Sequence, residues 1–174
     1  MIAPWPYPDE PVRAEMKLYF AGPLFTTAER AWNAELAAGL RAAGHDVFLP
    51  QEQEPGRDEA GIFAGDVAGI DWADGLVAIV DGPDPDSGTS WEIGYAFGRG
   101  KPILLVRTDI RASAGSAGDY NAMLIGAATI RIDLPAASTV DVIAATLEAL
   151  TRLQTGAACP DDSSSVDRQV IARA

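Results

Sequence analysis

The chain has 174 residues, 48% of them hydrophobic, enough for one domain with a sizeable buried core. Its formal charge is −12, so a nucleic-acid backbone would be repelled, and small ligands are favoured over DNA or RNA as partners. The single Cys159 excludes an internal disulfide and any multi-cysteine metal site, and no stretch approaches the roughly 18 apolar residues that span a bilayer.

The opening residues MIAPWPYPDEPVR are rich in proline and have no long apolar run. Residues 1–15 are therefore expected to form an extended arm rather than a secretion signal, and the protein to be cytoplasmic. The folded domain is expected over 16–153, followed by a mobile tail of mixed polarity over 154–174.

KLYFAG reads as a short apolar strand ending in a Gly-Pro turn. Thr26 and Glu29 match the capping box of a helix start, and Ala28, Trp32, Leu36, Leu40 and Ala43 recur at helical spacing up to a stop at Gly44. HDVFLP is the second strand, with the lone His45 expected as a surface turn residue. After the loop QEQEPGRDE a helix is expected over roughly 59–72. GLVAIVD, KPILLVR and ATIRID are three further strands, and Ser138 to Leu153 reads as a closing helix. Strands alternating with helices predict an α/β domain with a doubly wound sheet, and continuous apolar strands predict that helices cover both faces.

On the 59–72 helix, Ile62, Phe63, Val67 and Ile70 define an apolar face that also carries Asp66. A carboxylate there is either satisfied internally or points into a ligand pocket, whereas Asp71 falls on the other side and is expected to be solvated. The segment DSGTSWEIGYAF at 86–97 follows the strand directly and sets Glu92 on what reads as the first turn of a helix. In that position Glu92 is either an ordinary helix-start acid or an ionised nucleophile kept charged by the helix dipole. Asp86 has its own bland reading as a turn residue between Pro85 and Ser87-Gly88. Trp32, Trp72, Trp91 and Tyr95 are mostly core candidates, with interface roles open to those near the site. GRGKP at 98–102 is rejected as a phosphate loop, because Tyr95 and Pro102 stand where glycine and Ser or Thr are required.

Taken together and in this order, LYFAGPLF, the acidic helix with DGLVAIVDG, and DSGTSWEIGYA resemble the nucleoside 2-deoxyribosyltransferase family over residues 17 to about 130. The resemblance implies a flavodoxin-like doubly wound parallel sheet and a double displacement on 2′-deoxynucleosides, with no cofactor and no metal. Glu92 matches the family's nucleophile, Asp86 the acid that protonates the leaving base, and Tyr19 the tyrosine that contacts the nucleophile. Asp66, Phe25, Gly22 and Gly88 fall at substrate-binding positions. Asn121 in DYNAML resembles a residue that reaches the sugar from a neighbouring subunit, so a homodimer or an assembly of dimers is implied, with 2′-deoxynucleosides and free nucleobases as small-molecule partners. The alternative is an N-glycoside hydrolase of deoxynucleosides or their 5′-monophosphates on the same fold, and a noncatalytic nucleotide-sensing module is the third reading.

Overall fold

The computed structural model describes residues 15–53, 58–110, 121–155 and 169–172. Strand β1 (Lys17–Ala21) leads into helix α1 (Thr27–Ala42), β2 (Asp46–Phe48), a 3-10 turn (Pro50–Glu52), α2 (Glu59–Trp72), β3 (Gly75–Ile79), α3 (Ser87–Gly98), β4 (Ile103–Arg107), α4 (Ala122–Ala127), β5 (Ile130–Asp133), α5 (Thr139–Thr155) and β6 (Gln169–Ala172). All strand pairings are parallel, in the order β2-β1-β3-β4-β5-β6. The chain therefore turns back on itself between β1 and β3, the position at which flavodoxin-like sheets open a crevice outside their carboxyl ends.

Alternation along β1 divides its side chains between two cores. Leu18 and Phe20 pack with Leu36 and Leu40 of α1 and Val142 of α5 on one face of the sheet. Tyr19 and Ala21 point the other way, into a cluster with Ile70 of α2, Ile93 of α3 and Leu124 of α4. Strands β3 and β4 are buried at every position, as the apolar runs predict. The capping box forms as expected, with the Glu29 amide donating to Thr26 Oγ1 and the Thr26 amide to Glu29 Oε2; Gly44 follows the helix end at φ +95°, a backbone that suits glycine.

Several expectations are corrected. His45 is buried rather than at the surface, because the Lys17–Asp46 pairing brings the start of β2 under β1, where the Met16 amide donates to His45 Nδ1 at 3.3 Å. Ile62 and Phe63 of α2 are exposed; only Gly69 and Ile70 are buried, so this helix meets the core through its C-terminal turns. Trp72 and Trp91 are also exposed. Asp71 is at the surface as expected and joins α2 to α3 by accepting from Arg99 Nε at 2.8 Å and from the Tyr95 hydroxyl, a contact of at most about 1 kcal/mol. Helix α4 has no counterpart in the sequence expectations, and β6 lies within the stretch expected as a tail. The N-terminal arm before Glu15, the remaining tail and the Gly/Ala/Ser-rich stretch 111–120 lie outside the described residues.

Candidate active site

Helix α3 begins earlier than its sequence pattern suggests. Asp86 is the N-cap, its Oδ2 accepting from the Thr89 amide at 3.0 Å and standing 3.4 Å from Thr89 Oγ1, so Ser87 and Gly88 belong to the helix rather than to a turn before it. A Cβ at Gly88 would lie 3.0 Å from Asp86 Oδ2 and press on this cap. Glu92 consequently sits a turn further in, and no acid occupies the first turn. The free amides that would have stabilised its charge are not within its reach.

The buried stripe of α3 runs through Thr89, Ile93 and Ala96. Glu92 borders it and is half-buried, directed at β1 rather than at solvent. The hydroxyl of the fully buried Tyr19 donates to Glu92 Oε1 at 2.6 Å. That distance is typical of a charge-assisted O–H···O bond.

Two further carboxylates act on this pair. Burial foremost, against the opposing Tyr19 hydrogen bond and with the nearby charges of Asp66 and Asp86, pushes the Glu92 carboxyl up to about 7. The helix dipole expected to act on Glu92 is lost because the residue lies beyond the first turn, and desolvation and like charges favour its protonated form instead. Burial and the Glu92 and Asp66 carboxylates together drive the Tyr19 phenol strongly upward, so it remains a proton donor. Tyr19 and Glu92, 73 residues apart in sequence, are joined by this hydrogen bond, and the charges of Asp66 and Asp86 act on the same carboxyl.

The loops around them are fixed by residues that the sequence did not single out. Asn33, buried on the inner stripe of α1, donates from Nδ2 to the Pro23 carbonyl at 2.8 Å and so holds the loop that follows β1. A polar residue in register with Leu36 and Leu40 was the signal available. Asp81 accepts from the Thr108 amide at 2.6 Å, the Thr108 hydroxyl at 2.7 Å and the Asp109 amide at 2.8 Å, and Asp109 in turn accepts from the Gly82 amide at 3.0 Å. Gly82 has φ +102°, which explains glycine at that turn.

At Gly22 a Cβ would meet Ile79 and Asn33 at ordinary contact distances of 3.4 to 3.5 Å, so local packing does not demand glycine there. Phe25 is 74% exposed on the same loop. Asn121 is exposed as well and caps α4, accepting from the Met123 amide at 2.9 Å. Among the described residues no group of three or more His, Cys, Asp or Glu is arranged to hold a metal ion, and no helix is long and apolar enough to cross a membrane.

The family profile for nucleoside 2-deoxyribosyltransferase matches residues 18–153. The chain belongs to the nucleoside 2-deoxyribosyltransferase family. This places it among enzymes that act on the N-glycosidic bond of nucleosides. Of solved structures, a conserved protein from Enterococcus faecalis V583 is 29% identical with a TM-score of 0.62, covering 80% of this chain and 99% of its own. The 2-deoxyribosyltransferase of Bacillus psychrosaccharolyticus is 28% identical with a TM-score of 0.59, covering 77% of this chain and 96% of its own. The Clostridium botulinum CMP N-glycosidase BcmB shares the fold at 17% identity and a TM-score of 0.54, covering 76% of this chain and 97% of its own. No protein with a curated description matches. Within the nucleoside 2-deoxyribosyltransferase family, then, this member carries a tyrosine-held glutamate flanked by two aspartates.

Proposed function

We propose that the protein exchanges the nucleobase of 2′-deoxynucleosides through a covalent deoxyribosyl intermediate on Glu92. The observation that carries this reading is the Tyr19–Glu92 hydrogen bond at the sheet's switch point, with Asp66 and Asp86 acting on the same carboxylate. With Oε1 held by Tyr19, Oε2 attacks C1′. The C1′–N bond breaks, its electron pair goes to the base, and Asp86, charged in the resting site, takes a proton from solvent and passes it to the departing nitrogen. In the second half an acceptor base attacks C1′, Glu92 leaves as carboxylate and Asp86 takes up the acceptor's proton. Two inversions return the original configuration. Positive charge developing on the sugar is stabilised by the clustered acids, so their mutual repulsion is relieved as the reaction proceeds.

Asp66 holds sugar and base, Phe25 covers the base, and Gly22 and Gly88 leave room for the ligand. The hydrolytic alternative replaces the acceptor base by water. Substrates bearing a 5′-monophosphate are disfavoured by Glu29, whose Oε2 already takes the Phe25 and Thr26 amides at 3.0 and 2.7 Å. The start of α1, where backbone amides would otherwise welcome a phosphate, thus carries a carboxylate.

Incubation with deoxyinosine and free adenine is expected to yield deoxyadenosine. Base release from deoxycytidine 5′-monophosphate should be slower than from the nucleoside. Release of base at the same rate with and without an acceptor, and no exchanged nucleoside, would establish the hydrolase instead.

Subunits are expected to pair through the exposed face of α2 and α3. Ile62, Phe63, Trp91 and Phe97 are all about half exposed there, and the rings of Phe63 and Trp91 lie 5.3 Å apart across the two helices. Pairing brings Asn121 of one subunit to the site of another. Light scattering should give a dimer or a multiple of two; a monomer at micromolar concentration refutes the pairing.

A further inference from the structure

The register of β1 and β2 sets Phe48 directly beside Tyr19. Both side chains lie on the sheet face covered by α2 and α3, and their rings stack at 5.4 Å between centroids with 15° between planes. Tyr19 needs such a neighbour, because a hydrogen bond at the tip of a phenol constrains the oxygen and leaves the ring free to tilt about it.

Helix α2 closes this stack from above at one glycine. A Cβ built on Gly69 would lie 2.7 Å from Phe48 Cε1 and 2.8 Å from Cζ, closer than real contacts allow. The ring therefore occupies the space that a side chain at position 69 would take. Gly69 is buried, so helix or ring would have to shift if it were filled. A continuous path of contacts thus runs from Gly69 through the Phe48 ring to the Tyr19 ring, and from the Tyr19 hydroxyl to Glu92 Oε1.

We infer that Phe48, seated against Gly69, is a positioning residue that holds Tyr19 in line with the Glu92 carboxylate. It acts through another side chain and touches neither the sugar nor the base. The inference rests on the reading of Glu92 as nucleophile, yet the geometry it concerns can be measured without turnover.

Among the described residues three groups face Glu92: the Tyr19 hydroxyl from β1, Asp66 from α2 and Asp86 at the head of α3. Of these only the tyrosine favours the ionised form. Loosening Tyr19 should therefore raise the midpoint at which Glu92 ionises.

The test follows the Glu92 carboxyl by carbon NMR across pH, with the signal assigned by its loss in Glu92→Gln. Phe48→Leu is expected to raise the midpoint by about one pH unit, and Phe48→Tyr to leave it near that of the parent. In a Tyr19→Phe background, Phe48→Leu should produce no further shift. Where exchange is measurable, Phe48→Leu should slow it about tenfold at pH 6 and less than about twofold at pH 9, the pattern of a displaced ionisation.

An unchanged midpoint in Phe48→Leu, or an equal shift with and without the Tyr19 hydroxyl, overturns the inference, since Phe48 would then act through burial alone. If Phe48→Leu fails to fold, Gly69→Ala supplies the same displacement from the other side and is judged by the same criterion. The expected titration in a protein that exchanges no base would refute the proposed function and leave the positioning role standing.

Discussion

Glu92→Gln is expected to abolish base exchange, by on the order of a thousandfold or more, and at the same time to make the protein more stable above pH 7. The loss follows because an amide oxygen cannot form the ester with C1′ and then leave as a carboxylate. The gain follows from proton linkage. The folded protein holds the Glu92 proton up to about pH 7, whereas a free glutamate carboxyl gives it up near 4.5. Below that lower value both states are protonated and the position costs nothing. As the pH rises through the interval the unfolded chain releases its proton first, so stability falls, and above the folded pKa a deficit on the order of 3 kcal/mol remains. Glutamine has no proton to lose and can still accept from Tyr19. A melting temperature about 5 °C higher than the parent's at pH 8, with no gain at pH 4, is the expected signature. The pH–rate profile of the parent should rise through about pH 7, as Glu92 must be ionised to attack. A variant that keeps its activity, or melts lower at pH 8, would remove Glu92 from the centre of the mechanism.

Asp86 carries a structural duty as well as the proposed chemical one, and substitution separates them. Asparagine caps a helix about as well as aspartate, so Asp86→Asn keeps the bond to the Thr89 amide and should melt close to the parent. It has no carboxyl proton to give, and exchange should fall on the order of a hundredfold or more. The loss should shrink for deoxynucleosides whose base departs readily as an anion, because those need little protonation. Asp86→Ala loses the cap too, at about 1 kcal/mol. A full rate in Asp86→Asn, or a loss independent of the leaving base, would assign the proton to another group.

Much of the fold is visible in the residues themselves. The capping box at Thr26 and Glu29, the helix over 59–72 and the five apolar strands of the domain fall where their patterns predict. What failed did so for identifiable reasons. Ile62 and Phe63 have the spacing of a core face, yet spacing cannot tell burial in one's own core from exposure for a partner. Glu92 lies near a helix start, but Asp86 captures the Thr89 amide and so moves that start back by a turn. His45 reads as a turn residue, and only the pairing of β1 with β2 covers it.

The residue types of the site were legible because each requirement is local: an acid after a strand, a tyrosine between two apolar residues, an acid on an apolar helix face. Alternation along β1 even settles that Tyr19 points away from Leu18 and Phe20. Their meeting was not legible. Hydrogen bonding between Tyr19 and Glu92, the stacking of Phe48 and the repulsion that raises the Glu92 pKa all depend on parallel strands and helices that bring distant segments together. Local sequence therefore decided which elements form and which groups they carry, since backbone preference and apolar period act over a few residues. Tertiary structure alone decided the charge state of Glu92, because desolvation and Coulomb forces depend on distances in space rather than along the chain.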